Sequence, residues 1–88
     1  MYTKRTMTGR LRNWTSTRTK RKYVEAQVTY GRNIVDSEMF SLGKEAEATR
    51  WVNERIEWWA ETFERNNNLE PLSINRKLLR YDAEVQPE

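Results

Sequence analysis

Hydrophobic residues recur at helical spacing in one part of this chain, residues 41–66. Their spacing places them on a single stripe of a helix. Charged residues occupy the opposite side, as expected for a face in contact with water. A helix with one wide apolar side must be covered, and since no other segment has a helical period, we predict that a β-sheet covers it. The stripe consists of Ala48, Val52, Ile56, Trp59, Ala60 and Phe63, and the charged side of Glu47, Arg50, Glu54, Glu57, Glu61 and Arg65.

Apolar and polar residues alternate before the helix, which is typical of strands with one buried face. Residues 23–30 form the clearest predicted strand, with Val24, Ala26, Val28 and Tyr30 facing the helix. Gly31-Arg32-Asn33 predicts a hairpin turn, because Gly and Asn tolerate positive φ angles. In the partner strand, residues 34–40, the inward residues are either Val35 and Met39 or Ile34 and Phe40.

The remaining elements follow from local signals. Residues 10–19 are rich in Thr and predict a first strand, with a turn at residues 20–22. Ser41 is predicted to cap the helix, and the three asparagines at residues 66–68 to end it. Residues 72–85 predict a fourth strand, whose inward residues are Leu79, Tyr81, Ala83 and Val85.

Together these elements predict a single α+β domain over residues 1–88. The expected architecture is an antiparallel sheet of three to four strands packed on one long helix, in the order β-β-β-α-β. Residues 1–9 are predicted to be a flexible basic arm and residues 86–88 a tail.

The composition argues against several kinds of chemistry. The chain contains no Cys and no His, which removes thiolate metal sites and the commonest general base. Glu57, Glu61 and Glu64 are expected on the solvated outer side of the helix. We therefore predict a protein that is not an enzyme, with no catalytic residues, no metal and no cofactor. No apolar run approaches the roughly 20 residues of a membrane span, and the first residues lack a signal peptide's apolar core, so we expect no membrane association and a cytoplasmic location.

Charge is distributed unevenly along the chain. Residues 1–22 contain eight basic and no acidic side chains, whereas the rest contains eight basic and thirteen acidic ones. A basic segment on a mildly acidic body indicates a polyanionic partner, most simply DNA or RNA. The other interpretation is a solubilising arm.

The basic segment supplies the candidate nucleic-acid-binding residues. In a strand, Arg10, Arg12 and Trp14 share one face, and an aromatic ring between arginines can stack on bases while the arginines contact phosphates. The alternative is that Trp14 belongs to the core. The complete candidate set is Arg10, Arg12, Trp14, Arg18, Lys20, Arg21, Lys22 and Arg32.

Trp51 and Trp58 lie on one flank of the predicted helix, beside its apolar stripe. Either the sheet buries them, or they form an exposed patch that, with Arg55, binds a partner. The second alternative predicts a protein-binding inhibitor from a phage or mobile element, of the anti-CRISPR kind, acting on a host protein or nucleoprotein complex. A homodimer that pairs this flank across a two-fold axis is also possible.

Residues 22–51 resemble the arm-type DNA-binding domain at the N terminus of phage tyrosine recombinases. In that family a basic strand, a hairpin with a Gly turn and an F-x-T-K-K-E-A-E-A phrase precede a helix. Here Gly31 matches the hairpin turn, and the helix start is similar to the phrase. The resemblance implies a stand-alone module whose three-stranded sheet lies in the DNA major groove. Leu42 and Gly43 stand where the family has a capping Thr or Ser and a Lys. The matching residues are Phe40, Lys44, Glu45, Ala46, Glu47 and Ala48.

Overall fold

The computed structural model describes residues 6–80, which form a four-stranded sheet with one helix packed on one of its faces. In chain order the elements are β1 (Thr6–Thr15), β2 (Lys22–Tyr30), β3 (Asn33–Ser41), α1 (Glu45–Asn66) and β4 (Asn75–Lys77). The predicted α+β class and element order are confirmed. In space the strands lie in the order β3-β2-β1-β4.

The sheet is mixed, which corrects the prediction of a purely antiparallel one. β1 and β3 each pair with β2 in antiparallel fashion, whereas β4 pairs with β1 in parallel. The reason lies in the connection: α1 carries the chain back to the end of the sheet where β1 begins. A strand that follows α1 therefore runs beside β1 in the same direction.

The core lies between α1 and the face of the sheet that it covers. The helical stripe is confirmed, since Ala48, Val52, Ile56 and Ala60 are completely buried. From the sheet side, the alternating residues of β2 meet this stripe as predicted. The sheet contributes Met7, Val24, Ala26 and Val28, and the segment before β4 contributes Ile74.

β1 begins earlier than predicted. Residues 6–9, expected to belong to a flexible arm, form its first four positions, and Met7 is completely buried. Gly9 lies directly beneath α1: a Cβ atom there would overlap the Val52 Cγ1 atom and lie 3.2 Å from the Ile56 Cδ1 atom. The absence of a side chain at Gly9 therefore lets the helix approach the sheet closely.

A register irregularity in β3 resolves the open question of its inward face. The pairing of β3 with β2 shifts between Val28 and Thr29, so that β3 has one residue there without a partner on β2. Such a bulge reverses which residues face the core on its two sides. As a result Val35 and Phe40 both pack on the core, while Ile34 and Met39 are exposed, so each predicted pair is split.

The start of the helix also differs from the prediction. Ser41 is the last residue of β3, and α1 begins at Glu45 after Lys44, whose side chain forms no capping hydrogen bond. The chain turns at Gly43, which has a φ angle of 95° that favours glycine. The predicted end is confirmed: α1 ends at Asn66, and Asn68 takes a positive φ angle.

After α1, a buried ion pair holds the short strand β4 in place. The Glu64 carboxylate accepts hydrogen bonds from the backbone amides of Leu72 and Ile74 and from the Arg76 guanidinium. The contact from Arg76 Nη1 to Glu64 Oε2 is 2.9 Å, and the two side chains are only 9% and 5% exposed. This corrects the expectation that Glu64 lies on the solvated side of the helix.

The predicted fourth strand over residues 72–85 is reduced to three residues within the described part of the chain. Beyond β4, Asn53 of α1 binds the backbone of Leu79 through both its amide oxygen and its amide nitrogen. Leu79 packs on the core, as predicted. Tyr81, Ala83 and Val85, and the tail at residues 86–88, lie outside the described residues.

Candidate nucleic-acid interface

α1 covers one face of the sheet, and no element of residues 6–80 covers the other, which we call the open face. Residues of β1 alternate between the two faces, so that Met7, Gly9 and Leu11 point to the helix. Arg10, Arg12 and Trp14 consequently lie on the open face, as the alternation predicted. Facing residues on β2 are Tyr23, Glu25 and Gln27, and Lys77 of β4 lies on the same face.

The two arginines of the open face have different surroundings. The Arg10 Nε atom donates a hydrogen bond to the Gln27 amide oxygen, and Gln27 is only 3% exposed. Arg12 is exposed and lies directly opposite Glu25 in the register, but the two side chains form no ion pair. Arg12 is therefore available to an anion from outside.

The connection between β1 and β2, residues 16–21, extends the positive charge. Together with Lys22, the first residue of β2, we call it the basic turn. It is closed by backbone hydrogen bonds from Ser16 N to Arg21 O and from Lys20 N to Ser16 O, 2.9 and 2.8 Å long. Within residues 6–80, none of its cationic side chains is in an ion pair. Those cations are Arg18, Lys20, Arg21 and Lys22, and all are exposed.

Arg32 lies far from the other candidate residues. It is in the hairpin turn between β2 and β3, at the opposite end of β2 from the basic turn. Nine strand residues separate the two ends, a distance of roughly 26 Å at the usual rise of a strand. The structure therefore groups seven of the eight candidates and leaves Arg32 apart.

Trp14 is not a core residue, so one of its two interpretations is wrong, and stacking on bases stays a prediction. Its side chain is 44% exposed. Its ring centroid lies 6.0 Å from that of Tyr23, with 58° between the ring planes. A pocket of about 240 Å³ opens beside these rings, at the same end of the sheet as the basic turn. It is lined by Asn13, Trp14, Thr15, Lys22, Tyr23 and Leu42.

The tryptophans of the alternative site do not share one environment. Trp51 is half-buried against Phe40, with ring centroids 6.2 Å apart, as the buried alternative predicted. Trp58 is 47% exposed, as the other alternative predicted. The Arg55 guanidinium lies 4.6 Å from the centre of the Trp58 ring, within the range of a cation–π contact.

Arg55 also belongs to a polar cluster that ties α1 to β3. The Asp36 Oδ2 atom accepts hydrogen bonds from Arg55 Nε at 2.8 Å and from Trp59 Nε1 at 2.9 Å. Partial burial would raise the pKa of the Asp36 carboxyl, but the hydrogen bonds from Trp59 and Arg55 and the positive charge of Arg55 lower it overall. Arg55 is thus already engaged within the fold.

Reasoning from the sequence missed two parts of these sites. Leu42 joins the pocket because the pairing of β2 with β3 brings Ser41 next to Tyr23, and no local pattern reports such pairing. The Glu64–Arg76 pair was missed because its partners are separated by twelve positions and a turn. The available signal was the position of Glu64, which follows Phe63 and lies near the edge of the apolar stripe.

Other kinds of site are not found in the described part of the chain. Residues 6–80 contain no group of three or more acidic side chains arranged to hold a metal ion. Within the same residues, no helix is long and apolar enough to cross a membrane.

Comparisons with protein-family models, with curated proteins and with solved structures found no match. The resemblance to arm-type domains therefore stays a prediction. Any functional conclusion must come from the residues and their geometry.

Proposed function

We propose that this protein is a small, non-enzymatic nucleic-acid-binding protein that contacts phosphates through the basic turn and the open face. The proposal rests on one observation, which is that six cationic side chains at one end of the molecule are unpaired. Within residues 6–80, none of them is in an ion pair with a carboxylate. They are Arg10, Arg12, Arg18, Lys20, Arg21 and Lys22.

Their arrangement suits a polyanion better than a single small anion. The cations extend from the middle of β1 through the whole basic turn, which matches a series of phosphates along a strand. Among the described residues 6–80, one acidic residue, the half-buried Glu25, lies on the same part of the open face. Lys and Arg that neutralise phosphates release counterions, so the affinity should fall steeply with salt concentration.

Fluorescence anisotropy with labelled single-stranded and duplex DNA and RNA tests the proposal. We expect binding at about 50 mM salt that weakens strongly at about 200 mM, as counterion release requires. The variant Arg12→Ala/Lys20→Ala/Arg21→Ala should weaken binding to all sequences alike. It should also lower the salt slope by roughly 0.7–0.9 for each phosphate that the variant no longer neutralises.

The control removes charge elsewhere. Arg50 and Arg65 are exposed on the outer side of α1, so Arg50→Ala/Arg65→Ala changes the net charge without touching the open face. We expect little change in affinity for this variant. Absence of binding at low salt would refute the proposal, and an equal loss of affinity in the control would show that only net charge matters.

A second candidate function is a protein-binding inhibitor, from a phage or mobile element, that acts on a host protein or nucleoprotein complex. The exposed Trp58 with Arg55 against its ring favours it, because Trp and Arg dominate binding hot spots. In a pull-down from host extract, this function predicts that Trp58→Ala loses a partner that the Arg12→Ala/Lys20→Ala/Arg21→Ala variant retains. The opposite pattern supports nucleic-acid binding.

A further inference from the structure

The pocket beside the basic turn is lined by large apolar side chains that are exposed and do not belong to the core. Trp14 and Leu42, two of its lining residues, are 44% and 53% exposed. Neither belongs to the buried core, so their apolar character does not stabilise the packing of α1 on the sheet. Two large apolar side chains in one exposed pocket indicate a contact surface.

The ring geometry in the pocket leaves room for a third flat group. The planes of Trp14 and Tyr23 are inclined by 58°, so the two rings form an angle and not a parallel stack. Trp14 is 44% exposed, so part of its ring is open to a further group. At about 240 Å³, the pocket is smaller than the roughly 300–1,000 Å³ of sites for drug-sized ligands, which favours one flat ring system.

Polar residues also line the pocket, namely Asn13, Thr15 and Lys22. Alternation along β1 and β2 places them on the opposite face of the sheet from Trp14 and Tyr23. The exposed cations of the basic turn follow immediately along the chain. An exposed aromatic ring beside exposed cations corresponds to two parts of a nucleotide, the face of the base and the phosphate.

We infer that this pocket takes an unpaired nucleobase, which stacks on Trp14 while the neighbouring phosphates lie on the basic turn. The inference rests on the proposed nucleic-acid binding and adds a preference within it. In a duplex both faces of a base are covered by its neighbours, whereas in a single strand a base can turn out and stack on an aromatic side chain. The protein therefore prefers single-stranded to duplex nucleic acid.

Anisotropy titrations with matched oligonucleotides test the inference. Three probes share one length and label: an intact single strand, the same strand with abasic sites throughout, and its duplex, each prepared as DNA and the first also as RNA. The abasic strand keeps every phosphate and removes every base. We expect the intact strand to bind about five- to 100-fold more tightly than the abasic one, as base–aromatic stacking implies.

Variants distinguish the contribution of the pocket to binding from that of the basic turn. Trp14→Ala should abolish the difference between intact and abasic strands but keep the salt-dependent affinity for the abasic strand. Trp14→Phe should restore much of the difference, since phenylalanine also stacks. Leu42→Ala should reduce the difference, and Lys20→Ala/Arg21→Ala should weaken both strands by the same factor. Thermal melting followed by circular dichroism confirms that each variant is folded.

The outcomes distinguish this inference from the proposed function. Equal binding of intact and abasic strands, or a preference for the duplex, would contradict the inference that the pocket binds a base. It would leave the proposed nucleic-acid binding in place. No binding of any probe at low salt would overturn both. If Trp14→Ala leaves every oligonucleotide affinity unchanged but loses a protein partner, the pocket serves a protein and the inference is wrong.

Discussion

Arginine is used in opposite ways on the two faces of the sheet. On the face covered by α1, the Arg76 side chain is 9% exposed and binds the carboxylates of Glu64 and Glu57. On the open face, Arg12 is exposed and forms no ion pair with Glu25, its cross-strand neighbour. A buried charge must be paired because its desolvation is costly, whereas an exposed charge is stabilised by water.

This difference means that the formal net charge of +3 does not tell which charges are accessible. Arg76 holds the fold together and is not available to a partner. The cations of the open face and the basic turn form no ion pair within residues 6–80 and remain exposed. Removing residues from the two faces should therefore give opposite results for stability and for binding.

The largest expected effect on stability comes from Glu64→Ala. It leaves the Arg76 guanidinium without its buried partner and removes the acceptor of the Leu72 and Ile74 amides. We expect a decrease of about 3–5 kcal/mol in the free energy of unfolding, as for other broken buried pairs. Urea denaturation measures it, with Glu61→Ala, an exposed glutamate of the same helix, as the control. A decrease below about 1 kcal/mol would mean that the covered face tolerates an unpaired arginine.

The same pair makes the stability of the protein sensitive to acid. Hydrogen bonds from Arg76, opposed by burial and assisted by the Ile74 and Leu72 amides, lower the pKa of Glu64 from 4.5 to about 2. Because the pKa is lower in the folded state, this contribution is complete above pH 4.5 and is lost as the pH falls toward 2. Wild-type protein should lose stability across this range, and Glu64→Gln should lose less over the same range. Parallel curves for the two proteins would contradict this explanation.

An intermediate effect is expected from Gly9→Ala, which adds one methyl group on the covered face. That methyl group would overlap Val52 and press on Ile56, so α1 must shift. Overpacking of this kind costs about 1–3 kcal/mol, to be measured as the shift in the urea midpoint. Thr8→Ala, at the adjacent position on the open face, is the control and should cost less. If Gly9→Ala is neutral, the helix is less closely packed on the sheet than the structure indicates.

Asp36→Asn should have a slightly smaller effect. It keeps one oxygen acceptor but removes the charge that binds Arg55 and Trp59. We expect a decrease of about 1–2 kcal/mol in the free energy of unfolding, typical of a hydrogen bond to a charged group that is partly exposed. The tryptophan emission should shift to the red as Trp59 becomes more hydrated. Unchanged emission and stability would show that this cluster does not tie α1 to β3.

The smallest effect on stability is expected for Arg12→Ala and Arg21→Ala. Both side chains are exposed and lack an ion-pair partner within residues 6–80. Each substitution should change the free energy of unfolding by no more than about 0.5 kcal/mol, whereas the proposed function predicts a lower nucleic-acid affinity. Urea denaturation of both variants beside wild-type protein checks this. A decrease above about 1 kcal/mol would remove the contrast between the two faces.

Two features of this protein could be derived from local periodicity. The stripe from Ala48 to Ala60 and the alternation of Val24, Ala26 and Val28 report their buried sides correctly, because helix and strand geometry repeat at constant intervals. The open-face positions of Arg10 and Arg12 follow from the same alternation. The α+β class and the order of elements followed from these periods.

The other features of the fold and of the candidate site depend on pairing between segments that are far apart in the chain. The bulge that turns both Val35 and Phe40 inward, the burial of Glu64 against Arg76, and the pocket that joins Leu42 to Trp14 each depend on which strands meet and in what register. A local pattern reports the side of an element that is apolar but does not report what lies against it. Contacts between residues far apart in the chain are set when the whole chain packs, so they were visible only in the folded structure.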